Sequence, residues 1–316
     1  MRQGIGYAIT GLALSLGLMC ASGNATGIEV ERLETQKYPS LRDDIERVNL
    51  PYFDSTNRVQ WEGTDIPPPN YKVCPKPAVL RAVLARPRVD IWRCGNGRGF
   101  LAGISETGER RWVRELVYPS GQYQIKQHVL GANTSGLVLS TLDIWSPDTG
   151  KTLVEPPVTY FPSEQRAVPK FTFVYAAAYR ASTGDYFTYD PGGVRFDGKG
   201  GVYRVHATKN TWERLMPAAA KLLAPIDVLN IQFDASGRYL LLGERWGFRG
   251  QNWVRFAVFD LDKRRRVFEE RHGEGTFCLD PRIVVGADGH IAFSYRSDSA
   301  QGREHVLVRY RIKPSN

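Results

Sequence analysis

Between Ile231 and Leu242 the chain reads as two apolar runs, Ile-Gln-Phe and Tyr-Leu-Leu-Leu, joined by a polar stretch, Asp-Ala-Ser-Gly-Arg, centred on Gly237. Short apolar runs on either side of a glycine-containing polar turn predict a β-hairpin. The pattern returns at Ile283 to Arg296 around Gly289, and more loosely around Gly136 and Gly184. The intervals between these four glycines are 48, 53 and 52 residues, room for four strands in each. A second hairpin signal recurs at residues 103–113, 144–154, 203–213 and 258–268, an apolar run, a polar turn and a run that carries basic residues. Gly, Asn and Asp gather at these turns because tight hairpins need residues that tolerate positive φ.

An interval near fifty residues that holds two hairpins resembles the repeat of the β-propeller superfamily. The resemblance covers residues 90 to 312 and is one of geometry, since no repeated Trp-Asp ending accompanies it. It implies an all-β, propeller-like fold of about five four-stranded units. A β-sandwich with regular hairpins is the alternative.

Residues 1–25 have the layout of a secretory signal peptide: Arg2, an apolar run from Tyr7 to Met19, then small residues to Ala25. That run is short for a bilayer span, so no transmembrane segment is expected after cleavage and the protein is expected to be exported, to the periplasm. The residues before Cys20, Gly-Leu-Met, depart from the bacterial lipoprotein pattern. Residues 26–72 form an N-terminal arm, and 73–316 the propeller-like domain. Within the arm Ser40 to Asp43 can cap a short helix to Val48, and Asp65 to Asn70 is extended by its prolines. Ala78 to Arg86 is ambiguous between helix and strand, whereas Pro217 to Ala224 reads as a helix inserted between two units. His305 to Ile312 is the third strand of the last unit and no fourth follows it. A strand from the arm can close the ring, for which Arg58 to Trp61 is the expected segment, and a five-bladed, a six-bladed or an incomplete ring is compatible with the sequence.

Beyond the signal lie 41 of the 42 basic residues and all 33 acidic ones, a net charge of +8. Such a charge suits solubility and selects no class of partner by itself. Of the cysteines, Cys74 and Cys94 are the natural disulfide in an oxidising compartment, with Cys278 left as a buried thiol. The sequence is compatible with all three pairings.

Loops between the second and third strands of each unit share one end of a propeller. Here they are residues 190–201, 244–252 and 296–304. They supply the candidate binding residues Arg195, Arg245, Trp246, Phe248, Arg249 and Arg296, with Trp253 beside them. Arg and aromatic side chains anchor protein interfaces and also stack on sugars or bases. The acidic residues in the same loops almost cancel the basic ones, so the rim is amphipathic and not a groove for a polyanion, and no nucleic-acid motif goes with it.

Complete catalytic motifs are absent from the sequence. Gly193 to Gly200 has the spacing of a phosphate-binding loop but carries Gly200 where Ser or Thr would hold magnesium, and strand follows where a helix should. Around Ser105, Thr107 stands where a nucleophile elbow needs glycine. The five histidines have no metal-ligand spacing, and Asp143, Asp234, Asp260 and Asp280 read as turn or strand-end residues. No cofactor and no metal are expected. The function these features favour is an exported, non-catalytic module that binds another protein, one form of it an immunity-type protein neutralising a toxin or effector in the bacterial envelope. The alternatives are a periplasmic hydrolase or lyase acting on carbohydrate or phosphoester, with carboxylates converging at the ring centre, and an envelope scaffold subunit with an exposed apolar edge.

Overall fold

In a computed structural model of the 316-residue chain, the residues described are 28–39, 51–54, 56–61, 78–93, 98–116, 129–140, 143–155, 176–190, 199–206, 208–209, 211–217, 226–248, 251–273, 277–299 and 302–313. They form five four-stranded antiparallel sheets arranged as a five-bladed β-propeller. Blade 1 is β4 to β7 (Ala78–Ala85, Arg88–Arg93, Gly99–Ile104, Arg110–Leu116), and blade 2 is β8 to β11 (Val129–Asn133, Gly136–Leu139, Ile144–Trp145, Thr152–Val154). Blade 3 is β12 to β15 (Ala177–Arg180, Asp185–Asp190, Gly201–His206, Thr211–Pro217), and blade 4 is β16 to β19 (Ile226–Phe233, Tyr239–Phe248, Gln251–Asp260, Arg265–His272). Blade 5 takes β20 to β22 (Phe277–Val285, His290–Ser299, Gly302–Lys313) from the end of the chain and β1 (Glu29–Pro39) from its beginning.

The arm closes the ring, though not with the expected segment. Val59–Trp61 (β3) pairs instead with Pro51–Phe53 (β2) in a separate two-stranded hairpin. β1 is the better partner because its eleven residues match the twelve of β22, and a three-residue strand would leave most of that edge unpaired. Leu33 is the bulged residue, passed over where the register shifts between Arg32 and Glu34. Ala78–Ala85 is strand and not helix, since its backbone completes the first blade. The proposed helices at 40–48 and 217–224 fall mostly or wholly outside the described residues, and Pro217 itself ends β15.

The recurring glycines mark the turn between the first and second strands of each of blades 2 to 5. Gly184, Gly237 and Gly289 have φ of 67°, 70° and 74°, the left-handed region that a side chain resists. Gly136 serves differently, because a Cβ there would come within 2.7 Å of Ile144 and 3.0 Å of Tyr179. It is a contact between blades and not a turn requirement.

Neighbouring blades bury apolar side chains from facing sheets. Trp145 of blade 2 lies in a core with Val89, Leu101 and Leu116 of blade 1, and the Arg114 guanidinium covers its ring at 3.5 Å. The Asn133 amide donates to the Tyr179 carbonyl between blades 2 and 3 (3.0 Å), and Arg180 donates to the Gly237 carbonyl between blades 3 and 4 (2.7 Å). Blades 4 and 5 share the largest core, with Phe256, Phe293 and Tyr310 inside it. Within that core His272 Nε2 donates to the Tyr310 hydroxyl (2.7 Å), which donates to Glu270 (3.0 Å), which in turn pairs with Arg32 of the closing strand.

Burial holds the His272 imidazole down at about 4, against the pull of the Glu270 carboxylate. It stays neutral in the folded chain while an ordinary histidine takes up its proton near 6.5. A depressed folded value means stability that is fully present above pH 6.5 and lost as the pH falls towards 4, about 3 kcal/mol across the window. Urea unfolding at pH 7 and pH 4 should therefore show the wild type losing about 3 kcal/mol more than His272→Gln. Parallel losses would mean that His272 is not the group responsible.

Candidate functional site

Blades 4 and 5 have second and third strands of ten to twelve residues, against two to six in blades 1 to 3. Two of the three expected binding loops are consequently strand. β17 runs through Trp246 to Phe248, and β21 runs through Arg296 to Ser299. The ladder continues because the partner residues match across it, Glu244 opposite Arg255 and Trp246 opposite Trp253.

That register sorts the candidates. Leu240, Leu242, Glu244 and Trp246 share one face of β17 with Phe259, Ala257, Arg255 and Trp253 opposite them on β18. The apolar members pack with Phe187, Tyr189 and Val202, so this face looks onto blade 3. Arg245 is on the other face, with Tyr239 and Leu241, towards blade 5. Arg296 follows Tyr295, which packs towards blade 4, and so points away from blade 4; its guanidinium lies 3.4 Å from Asp298. Phe248 is the last residue of β17, paired with Gln251. Arg195 and Arg249 lie outside the described residues, as do Cys74 and Cys94.

Of the expected set, then, Trp246 and Trp253 are brought into contact. Their half-buried rings stack, with centroids 5.6 Å apart and planes 13° from parallel. Such a pair contributes about 1 kcal/mol beyond the area it buries. The Arg271 guanidinium sits over the Trp253 ring at 4.9 Å. Below the rings is a square of charge. Buried Glu244 pairs with buried Arg255 and, at 2.7 Å, with Arg266, while Glu269 accepts from Arg255 at 3.0 Å and from Arg266 at 2.8 Å. Burial works against the ionised Glu269, but the Arg266 hydrogen bond and the charges of Arg255, Arg266 and Arg271 outweigh it and hold its carboxyl below the usual range. The square fixes β19 against β18 and so places Arg271 on the indole. Glu244 had been expected on the exposed rim; its 2 % side-chain exposure makes it the floor of the site instead. Part of the basic run Lys263 to Arg266 is committed here too, through Arg266 and through the pairing of Arg264 with Glu213 of blade 3.

The opposite end of the ring opens onto the centre, where the hydrolase or lyase alternative expects converging carboxylates. A cavity of about 870 Å³ lies on the propeller axis, walled by the first strands of all five blades and opening among the turns that follow them. The marker glycines sit in those turns, so the signal that located the blades also located the mouth. Asp234 is the carboxylate among its described lining residues. It is occupied by its own turn, with Oδ1 accepting from the Tyr239 amide (2.7 Å) and Oδ2 from the Ser236 amide (3.1 Å). Asp260 likewise accepts from the amides of Asp262 and Lys263, both at 3.0 Å. Ser105 forms the β6–β7 turn with Gly108 and Glu109, and Gly201 begins strand β14, as their sequences indicated.

Among the described residues no group of three His, Cys, Asp or Glu side chains is placed to hold a metal ion. None of their helices is long and apolar enough to cross a membrane. Cys278 is buried, its Sγ 3.7 Å from the Gly273 carbonyl. The exposed large apolar side chains among them, Leu33, Leu153 and Trp212, belong to blades 5, 2 and 3 and make no common patch.

No protein-family model matches the chain, and no curated protein does. Among solved structures it is similar to hydrazine synthase of Kuenenia stuttgartiensis, with 10% identity and a TM-score of 0.39 over 70% of this chain and 59% of that one. It is also similar to the tail fiber of Staphylococcus aureus phage P68, with 6% identity and a TM-score of 0.35 over 92% and 54%. The Dos1 propeller gives 12% identity and a TM-score of 0.31 over 82% and 71%. The chain spans little more than half the length of the first two, and likenesses this distant carry nothing about activity.

Removing the charge of Glu244 leaves buried Arg255 under-compensated, whereas Glu269 is 42% exposed. Glu244→Gln should cost about 3 kcal/mol of unfolding free energy in urea titration. Glu269→Gln should cost less than about 1 kcal/mol. Equal costs would show that the square does not depend on its buried member.

Proposed function

We propose that the protein is an exported binding module that engages another protein through the raised end of blade 4. The reading is carried by the stacked Trp246 and Trp253 pair with Arg271 over it. Trp and Arg are the residue types on which interface energy concentrates, and a pair held in advance by a rigid ladder loses little side-chain freedom on binding. Propellers commonly serve as interaction platforms, and the near-balanced charge of this end suits a protein surface better than a polyanion. Neutralisation of a toxin or effector in the bacterial envelope is one form of the proposal, motivated by an exported single-domain binder. Export itself rests on the layout of residues 1–25.

The test is affinity purification of the processed protein from the envelope of its own cell, with mass spectrometry of what co-elutes. One stoichiometric protein is expected with the wild type. Trp253→Ala and Arg271→Ala should reduce its recovery about tenfold or more at unchanged circular dichroism. No stoichiometric partner, or undiminished recovery with both variants, would overturn the reading.

A further inference from the structure

The axial cavity is left unused by a partner-binding role at the other end of the ring. Its volume of about 870 Å³ lies within the range of small-molecule sites. The charged groups of its described lining are engaged. Arg180 pairs with Asp185 at 4.0 Å and donates to the Gly237 carbonyl, Arg86 pairs with Glu106 at 3.9 Å, and Arg282 too has its interactions within the protein. Asp234 is held by the amides of its own turn. An ion entering this space would give up hydration and meet no spare counter-charge among the described residues, a cost that a neutral ligand avoids.

Asn230 stands apart from these groups. Its Oδ1 is buried and accepts no hydrogen bond from the described residues, which costs stability until a donor arrives. A glycine makes its place. A Cβ on Gly243, opposite Asn230 on β17, would come within 3.2 Å of the Asn230 Cβ and 3.3 Å of Pro281. The ladder thus makes room, where blades 4 and 5 meet, for a carboxamide oxygen that neither blade satisfies. Exposed Thr134 and Ser182 add hydroxyls at the mouth.

An aromatic ring is brought to the same space from outside the blades. Phe53 of the β2–β3 hairpin lines the cavity, edge-on to His290 at 6.3 Å and packed on Gly286, where a Cβ would come within 2.8 Å of its ring. Arg309 fastens the hairpin by donating to the Asn57 carbonyl (3.0 Å).

We infer that the axial cavity is a binding site for a neutral sugar. A sugar hydroxyl would donate to Asn230 Oδ1, and the apolar face of the sugar ring would lie against Phe53. A hydrocarbon lacks the donor that Asn230 needs, and a sugar acid adds a charge for which the described lining has no free partner.

Isothermal titration of the processed protein with D-glucose, D-galactose, D-mannose and D-glucuronate tests the assignment. At least one neutral sugar is expected to bind saturably at one site, with a Kd of about 1 mM or tighter. Its affinity should not change with salt, and glucuronate should bind no more tightly than glucose. The methyl glycoside of the sugar that binds separates two sources, retained affinity marking the end of a glycan chain and lost affinity a free sugar, with the site standing in both cases. Asn230→Ala should weaken the sugar about tenfold while leaving the urea midpoint unchanged or raised, because the oxygen removed has no bond to lose. Phe53→Ala should weaken it too, through a residue outside the blades. A fall in the midpoint of Asn230→Ala would show that Asn230 holds the fold, and the Phe53→Ala result then decides. No saturable heat with any of the three neutral sugars, tighter binding of glucuronate, or undiminished binding in both variants would overturn the inference. Recovery of the protein partner through Trp253 should be unchanged in Asn230→Ala, so this site and the proposed interface stand or fail separately.

Discussion

Ten backbone pairings between Glu29–Pro39 and Gly302–Lys313 turn an open row of sheets into a ring. Without β1 the outer edge of β22 would stay unpaired. The pairing removes that edge. It also brings Arg32 to Glu270, and through Tyr310 and His272 it ties the first strand of the chain to the core shared by blades 4 and 5.

The same closure explains why the two ends of the ring differ. Blades 4 and 5 share the largest core and are joined by a parallel pairing of Asn252 with Phe277, and their long strands rise past those of blades 1 to 3. A long two-stranded ladder needs cross-strand partners to its tip, and the stacked indoles and the four-membered charge square provide them. At the opposite end the short turns keep close to the axis. Of their inward side chains Gln232, Asn133 and Arg180 serve the ring itself, each bonding a carbonyl of another blade.

Strand spacing was plainly written in the sequence, because turn glycines and apolar runs report backbone geometry directly. Gly184, Gly237 and Gly289 were legible for that reason, and so was the strand character of Gly201–His206, which argued against a phosphate loop. Pairing partners across long separations were not. Nothing local in Glu29–Pro39, whose charged residues alternate irregularly, marks it as the mate of β22, while Val59–Trp61 looks like a better strand and is too short to serve. The candidate site was legible in part. Trp246 and Trp253 were found by residue type, but the register that stacks them also turns Arg245 and Arg296 to other faces and sinks Glu244 into the floor. A loop reading cannot anticipate that, since it assigns no facing. The axial cavity is a property of five strands at once and has no signature in any one of them.

The closing strand has a history as well as a place. In a chain made from its beginning, Glu29–Pro39 exists long before Gly302–Lys313, and more than 260 residues separate the two. Throughout that interval its backbone is an open template for whatever strand comes near. Its composition suits the delay: Glu29, Glu31, Arg32, Glu34 and Lys37 put charge along both faces, and the bulge at Leu33 breaks the register that a wrong partner would need. The segment that completes the propeller is thus built to pair poorly with everything except the strand it waits for.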